Sequence, residues 1–147
     1  MSSAGFQLLA GRIPGERIAT TVVSSDSSTF TSTEVSLATV VAPVVAGRTY
    51  RVRAVGQFGS TVSNDRVSPR IRQDSVAGSE MVGTNIDITA GGITFGWPFD
   101  IEAEFTAGTT ENKTFVLTGD RSSGSGNCHL EAASTRPTFL YVDYIRG

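Results

Sequence analysis

The chain has 147 residues and a net charge of −2, which suits one domain with a substantial core rather than two domains. This charge argues against a protein that holds nucleic acid through phosphate contacts. No apolar run approaches the roughly 20 residues needed to span a bilayer, and the first ten residues lack the features of a secretion signal. The one cysteine, Cys128, excludes a disulfide within the chain, so we expect a soluble protein made in a reducing compartment.

The first sixteen residues differ from the rest of the chain, because glycines and a proline interrupt any regular element there. One interpretation is a frayed terminus. The other is an extended arm whose apolar side chains dock on another surface. We expect an arm over residues 1–16 and a folded domain over residues 17–147. The candidate docking side chains are Phe6, Leu8, Leu9 and Ile13.

From residue 17 onward, short segments rich in threonine and valine alternate with turn residues, which is typical of β-strands. In the second predicted strand, Val35, Leu37 and Thr39 fall on one face. The third alternates most clearly, with Tyr50 and Val52 on one face. The predicted strands before residue 90 are 18–23, 29–41, 49–58, 66–73 and 81–88.

Strict alternation of apolar and other residues over 93–105 is the strongest periodic signal in the sequence, and it predicts a half-buried strand. Because Pro98 cannot donate to a ladder, the segment is either an edge strand or two strands broken near residues 96–98. The apolar positions are Ile93, Phe95, Trp97, Phe99, Ile101, Ala103 and Phe105.

The last predicted strand, 138–146, is apolar on both faces, which predicts a central strand covered by a neighbouring sheet or subunit. Two further strands are predicted at 113–118 and 128–132. Eight to ten short strands without a helix are typical of a sandwich, jelly roll or small barrel. We predict an all-β, antiparallel, jelly-roll-like sandwich. The residues of the two-sided strand are Phe139, Leu140, Tyr141, Val142, Tyr144 and Ile145.

Two rows of charge are the main candidates for chemistry: an acidic row of Asp100, Glu102 and Glu104, and a basic row of Arg51, Arg53, Arg70 and Arg72. Carboxylates about 7 Å apart along a strand could act as an acid–base pair on a glycoside. They could also form an interface. We expect the basic row to lie on two neighbouring strands, so that cross-strand ion pairs account for both rows without catalysis, and this is the interpretation we favour.

Other candidate sites are weaker. Cys128 and His129 are adjacent in a predicted strand, so their side chains point to opposite faces and form no dyad. We expect a buried cysteine and a surface histidine. One His and one Cys make no zinc site in one chain, although a histidine from each subunit on a three-fold axis could bind a metal. The glycines at 124–126 precede no helix and are no phosphate cradle. We therefore predict no cofactor and no enzyme.

Six phrases recur in order along the chain: DSSTFT at 26–31, GRTYRVR at 47–53, RIRQDS at 70–75, EAEFTA at 102–107, NKTFVLTG at 112–119 and YVDYIRG at 141–147. Together they resemble a β-sandwich domain of virion structural proteins in tailed phages that infect actinobacteria. The resemblance covers about residues 17–147, and its motifs mark a scaffold rather than a site. In that family the domain occurs in minor tail proteins, at fibre ends and in small proteins on the head.

This resemblance implies a virion protein assembled in the host cytoplasm. A receptor-binding tail protein usually carries a long stem, whereas this domain stands nearly alone, so we favour a capsid decoration protein. Its expected partners are the major capsid protein and further copies of itself, with a trimer favoured, and neither nucleic acid nor membrane. The alternatives are a minor tail or tail-fibre module that binds a host glycan or receptor, and a carbohydrate-active enzyme that uses the acidic row.

Overall fold

The structure is a computed structural model that describes residues 13–90 and 96–147. These residues form ten β-strands and no helix, which confirms the predicted all-β class. The strands are β1 (Arg17–Val23), β2 (Val35–Val44), β3 (Thr49–Ser60), β4 (Asp65–Gln73), β5 (Glu80–Gly83), β6 (Ile86–Ile88), β7 (Trp97–Thr106), β8 (Glu111–Ser123), β9 (Cys128–Glu131) and β10 (Thr138–Arg146).

The strands form two antiparallel sheets that pack face to face. The first sheet has the order β1-β10-β3-β7. β9 also belongs to it and pairs with the last residues of β3, beyond the part of β3 that pairs with β10. The second sheet has the order β2-β8-β4-β5, and β6 pairs with another part of β4. The chain crosses between the sheets from β1 to β2, β2 to β3, β3 to β4, β6 to β7, β7 to β8 and β8 to β9. This is the strand order of a jelly roll, as the sequence predicted.

The core lies between the sheets and is centred on aromatic side chains. The Phe58 ring stacks on Phe99 at a centroid distance of 4.7 Å and meets the edge of Phe30 at 6.1 Å. Tyr50 is fully buried, and its hydroxyl accepts a hydrogen bond from the Val45 amide at 2.8 Å. Burying such rings removes large apolar areas from water and dominates the energetics of a small sandwich.

The alternating segment and the two-sided segment take the places predicted for them. β7 is the edge strand of the first sheet, which accommodates Pro98, and its apolar residues face the core. Ile93 and Phe95 lie outside the described residues. β10 is a central strand between β1 and β3, with Leu140 and Val142 fully buried against the second sheet.

The predicted phase of β2 is wrong beyond its first residues. The pairing of β2 with β8 shifts between Ser36 and Ala38, so Leu37 is an extra residue in the ladder. After this bulge the core positions are Ala38, Val40, Ala42 and Val44, and Thr39 is exposed.

The single strand predicted at 81–88 is two strands, β5 and β6. Both pair with β4, and the gap between them lies opposite Pro69, whose carbonyl accepts a hydrogen bond from the Thr84 amide. Because proline has no N–H to donate to the neighbouring strand, the ladder is interrupted at this position.

Candidate functional site

The outward face of the first sheet carries the acidic row of β7 beside two arginines of β3. Arg53 lies directly opposite Glu102 in the register, yet its guanidinium bonds diagonally to Asp100, with Nε to Oδ1 at 2.8 Å. Glu102 is held by Arg51 at 3.3 Å. Glu104 is held by Arg146 of β10 at 2.8 Å. The predicted cross-strand pairing is therefore present for Arg51 and Arg53, shifted by one diagonal step.

This array of ion pairs extends across the whole sheet. The Arg17 guanidinium lies 3.6 Å from the centroid of the Tyr141 ring and bonds to Asp143 at 3.0 Å. Arg53 also donates to the Tyr141 hydroxyl at 3.0 Å. Tyr141 thus links the charges of β1 to those of β3. We call the whole array the ion-pair lattice; its charged members are Arg17, Arg51, Arg53, Asp100, Glu102, Glu104, Asp143 and Arg146.

The other half of the basic row is elsewhere, which corrects the prediction of one row on two neighbouring strands. β3 and β4 belong to different sheets, so Arg70 and Arg72 lie on the far side of the sandwich from Arg53. Alternation along a strand predicts which residues share a face, but it carries no information about which strands are neighbours.

On the far side of the sandwich, Arg70 and Arg72 form ion pairs with carboxylates of other segments. Glu34, just before β2, lies between Arg70 and Arg72, and it is 2.6 Å from each of them. Arg70 also pairs with Asp120 of β8 and with Glu80 of β5. Burial raises the pKa of Glu34, but the hydrogen bonds and charges of the two arginines outweigh it and hold that pKa below its ordinary value.

The pKa values of Asp100 and Glu104 do not suit the general acid that the glycosidase interpretation requires. A general acid for glycoside cleavage needs a carboxyl whose pKa is raised. The hydrogen bond from Arg53 instead lowers the pKa of Asp100, and the hydrogen bond from Arg146 lowers that of Glu104. The ion pairs of Asp100 and Glu104 instead tie β7 to β3 and to β10.

The most buried carboxylate of the described chain was missed by sequence reasoning. Asp65 is 1% exposed, and its carboxylate accepts hydrogen bonds from Ser60 Oγ at 2.5 Å and from the amides of Ser125 and Gly126 at 3.0 and 3.1 Å. Burial raises the pKa of Asp65, but these hydrogen bonds and the charge of Arg121 outweigh it, so that pKa lies below its ordinary value. Residues 124–126 therefore cradle an anion of their own chain. We call this arrangement the Asp65 nest.

Cys128 and His129 point to opposite sides of β9, as expected. Cys128 is fully buried, its thiol lies 3.8 Å from Asp65 Oδ2, and burial raises its pKa. The expectation of a surface histidine is wrong, because His129 is only 8% exposed. Its ring occupies the space above Gly59, where a side chain on β3 would collide with it.

The remaining candidates are placed as follows. Phe6, Leu8 and Leu9 lie outside the described residues, whereas Ile13 is 49% exposed at the turn that leads into β1. In β10, Tyr144 joins Leu140 and Val142 in the core, while Phe139 and Ile145 are half-buried on the outward face.

Across residues 13–90 and 96–147, no three His, Cys, Asp or Glu side chains come together as a metal ion would require. The same residues contain no helix that could cross a membrane.

No known family model matches the chain, and no curated protein matches it. Among solved structures, the infectious bursal disease virus VP2 subviral particle is 13% identical with a TM-score of 0.47, over 88% of this chain and 38% of that one. Eiger TNF from S. frugiperda is 10% identical with a TM-score of 0.47, over 89% and 94% of the two chains. Dimeric latent PorU from Porphyromonas gingivalis is 8% identical with a TM-score of 0.48, over 93% and 14%. Likenesses this low leave the function to be argued from the chain itself.

Proposed function

We propose that this chain is a structural protein of a tailed-phage virion that decorates the capsid surface and stabilises the shell. The proposal begins from the resemblance of residues 17–147 to the sandwich domain of such proteins. It holds the chain to be a scaffold that works through the surfaces it buries against other chains.

The proposal depends on one observation, the position in the fold of the phrases that resemble the virion domain. Residues 47–53 lead into and form the first part of β3, 102–107 end β7, 112–119 lie in β8, and 141–147 lie in β10 and the terminus that follows it. Several of their apolar residues are core positions, among them Tyr50, Phe115 and Val142. Arg51 and Glu102 belong to the ion-pair lattice. The shared features therefore specify a sandwich and its sheet faces.

The chemistry of the described residues also supports a binding role rather than catalysis. The carboxylates of β7 are each held by an arginine, and the buried Asp65 is held by backbone amides. The thiol of Cys128 is buried with a raised pKa, which disfavours the reactive thiolate. In this proposal the partners are the major capsid protein and further copies of the chain, with Phe6, Leu8, Leu9 and Ile13 as docking residues.

Reconstitution on phage heads tests the proposal. Purified protein should add to heads that lack it and should raise their melting temperature, because binding to the assembled shell stabilises that state. A matched variant in which Phe6, Leu8 and Leu9 are changed to serine should fold normally and bind more weakly. Heads that neither bind the protein nor melt later would contradict the proposal. Binding confined to tails would favour the tail module.

A further inference from the structure

β9 presents two titratable side chains to the outward face of the first sheet, and both are buried there. Cys128 and Leu130 point into the core, so His129 and Glu131 share the opposite face of the strand. His129 is 8% exposed and Glu131 is 7% exposed. Neither side chain takes part in the proposed function, so an inference about this pair stands or fails independently of it.

One oxygen of the Glu131 carboxylate lacks a donor. Its Oε1 accepts a long hydrogen bond from Arg136, at 3.5 Å. Its Oε2 is fully buried, and none of the described residues donates a hydrogen bond to it. Burying a carboxylate oxygen without a donor or a cation is costly, and such atoms are rare in folded proteins. Oε2 therefore marks a position at which a positively charged group would be stabilised.

The imidazole of His129 lies beside the same oxygen, because both pack against Gly59 of β3. Gly59 is directly opposite His129 in the β3–β9 ladder. A Cβ at Gly59 would lie 3.0 Å from His129 Nε2 and 3.2 Å from Glu131 Oε2, so these two atoms converge on one small region. A neutral imidazole offers a nitrogen lone pair, and a carboxylate offers oxygen lone pairs. Nitrogen and oxygen donors in this combination are ligands of zinc, with bonds of about 2.0–2.2 Å.

A third oxygen and a loosely held cation complete the cluster. Gln57, directly opposite Glu131 in the ladder, accepts a hydrogen bond through Oε1 from Arg136 Nη1 at 3.4 Å. Arg136 Nη2 lies 3.5 Å from Glu131 Oε1. Both distances exceed the roughly 2.7–2.9 Å of a strong charge-assisted hydrogen bond. The Arg136 side chain is also 53% exposed. The cluster therefore already attracts a cation, and it holds that cation weakly.

We propose that His129 and Glu131 bind one divalent transition-metal ion of the zinc type, in competition with Arg136. Imidazole nitrogen favours zinc and its neighbours in the first transition row, whereas Mg²⁺ and Ca²⁺ prefer oxygen ligands. The Gln57 amide oxygen and water complete an open coordination sphere around the ion. Such a site binds more weakly than a closed cage of three or four ionisable side chains, which the described residues do not form.

The single histidine of the chain gives a direct readout, because one imidazole produces one set of side-chain resonances. The experiment is a titration of Zn²⁺ into the full chain, without an affinity tag and near neutral pH, followed by NMR. We expect the His129 resonances to shift with a stoichiometry of one ion per chain and with half-saturation at micromolar zinc. Mg²⁺ at the same concentration should leave these resonances unchanged.

Variants distinguish this site from binding elsewhere on the chain. H129Q and E131Q should each weaken zinc binding about tenfold or more in isothermal titration calorimetry, because each removes one ligand. R136A removes the competing guanidinium and should strengthen binding severalfold. The control D87N removes an exposed carboxylate of β6 and should bind zinc like wild type.

The outcomes that would overturn the proposal are distinct. Circular dichroism establishes that each variant is folded; if H129Q or E131Q is not, R136A and the histidine resonances of the wild type carry the test. His129 resonances that do not move at millimolar zinc would overturn it. Folded H129Q and E131Q that bind zinc as tightly as wild type would also overturn it, since the ion would then be held elsewhere. R136A that binds no more tightly than wild type would overturn the competition with Arg136.

Discussion

The guanidinium of Arg53 bonds to Asp100 rather than to Glu102, which faces it directly across the β3–β7 ladder. Diagonal pairing lets each carboxylate of β7 find its own arginine, with Glu102 passing to Arg51 and Glu104 to Arg146. The sheet face is therefore electrically balanced by contacts within one chain.

The diagonal ion pair between Arg53 and Asp100 predicts which residues are energetically coupled. In a double-mutant cycle, R53A and D100A should show a coupling of about 0.2–1 kcal/mol, as expected for an exposed ion pair. The cycle of R53A with E102A is the matched control, and its effects should simply add. Urea denaturation of the four proteins in each cycle measures this. A larger coupling for Arg53 with Glu102 would show that the direct register pair is the one formed.

The Asp65 nest predicts a large loss of stability from a small change. In D65N the new amide group presents N–H where the Gly126 amide already donates, so buried donors lose their acceptor. We expect D65N to lower the free energy of unfolding by about 2–3 kcal/mol. The control D87N removes an exposed carboxylate and should have a much smaller effect. A shift in the urea midpoint, at constant slope, measures the difference.

The lowered pKa of Asp65 predicts that the stability of the fold depends on pH. The pKa of Asp65 is lower in the folded chain than its ordinary value near 4, so ionisation favours the folded state. Its contribution is complete above about pH 4 and is lost as the pH falls through the lower folded value. Glu34 and Asp100 act in the same direction. The melting temperature should therefore fall from pH 5 to pH 2.5, and less steeply in D65N. Equal slopes for the two proteins would contradict this role of Asp65.

Gly124 should be intolerant of a side chain. Its φ is +103°, and a Cβ at this position would overlap the Asp65 carboxylate. G124A should cost about 2 kcal/mol or more, from the backbone strain together with the displaced hydrogen bonds. Gly108 has open space around it and no such φ, so G108A is the control. A thermal melt of G124A that matches wild type would contradict the arrangement of the nest.

Cys128 should be inert in the folded protein. Its thiol is buried and its pKa is raised, so little thiolate is present and reagents have little access. A chromogenic disulfide reagent at pH 8 should react with one thiol per chain in denaturant and far more slowly without it. Rapid reaction of the native protein would show that β9 is exposed.

β3 and β7 were predicted close to their observed positions because one residue in two is apolar along each of them. β10 was predicted from a different signal, the apolar residues on both of its faces. Prediction from the sequence failed for β2, where the bulge at Leu37 reverses the phase without a marking residue. It also failed at the break between β5 and β6, because this break is caused by Pro69, which lies in the partner strand β4 and not in the broken segment itself.

The charged sites were predictable only in part, because ion pairs depend on which strands are neighbours. The proximity of Arg53 to the β7 carboxylates follows from a β3–β7 pairing that the rows suggested. The Asp65 nest joins residues about sixty positions apart, and its two halves look like ordinary turns. His129 is buried because its cross-strand neighbour, Gly59, has no side chain, and only the register shows this.

The central proposal, a decoration protein of the capsid, is tested most directly by the number of copies in each virion. Quantitative mass spectrometry of purified particles, calibrated against the major capsid protein, gives this number. A protein that covers the shell at its symmetry-related positions should be present in copies on the order of hundreds. A handful of copies in each particle would place the chain on the tail, and its absence from purified particles would contradict the account.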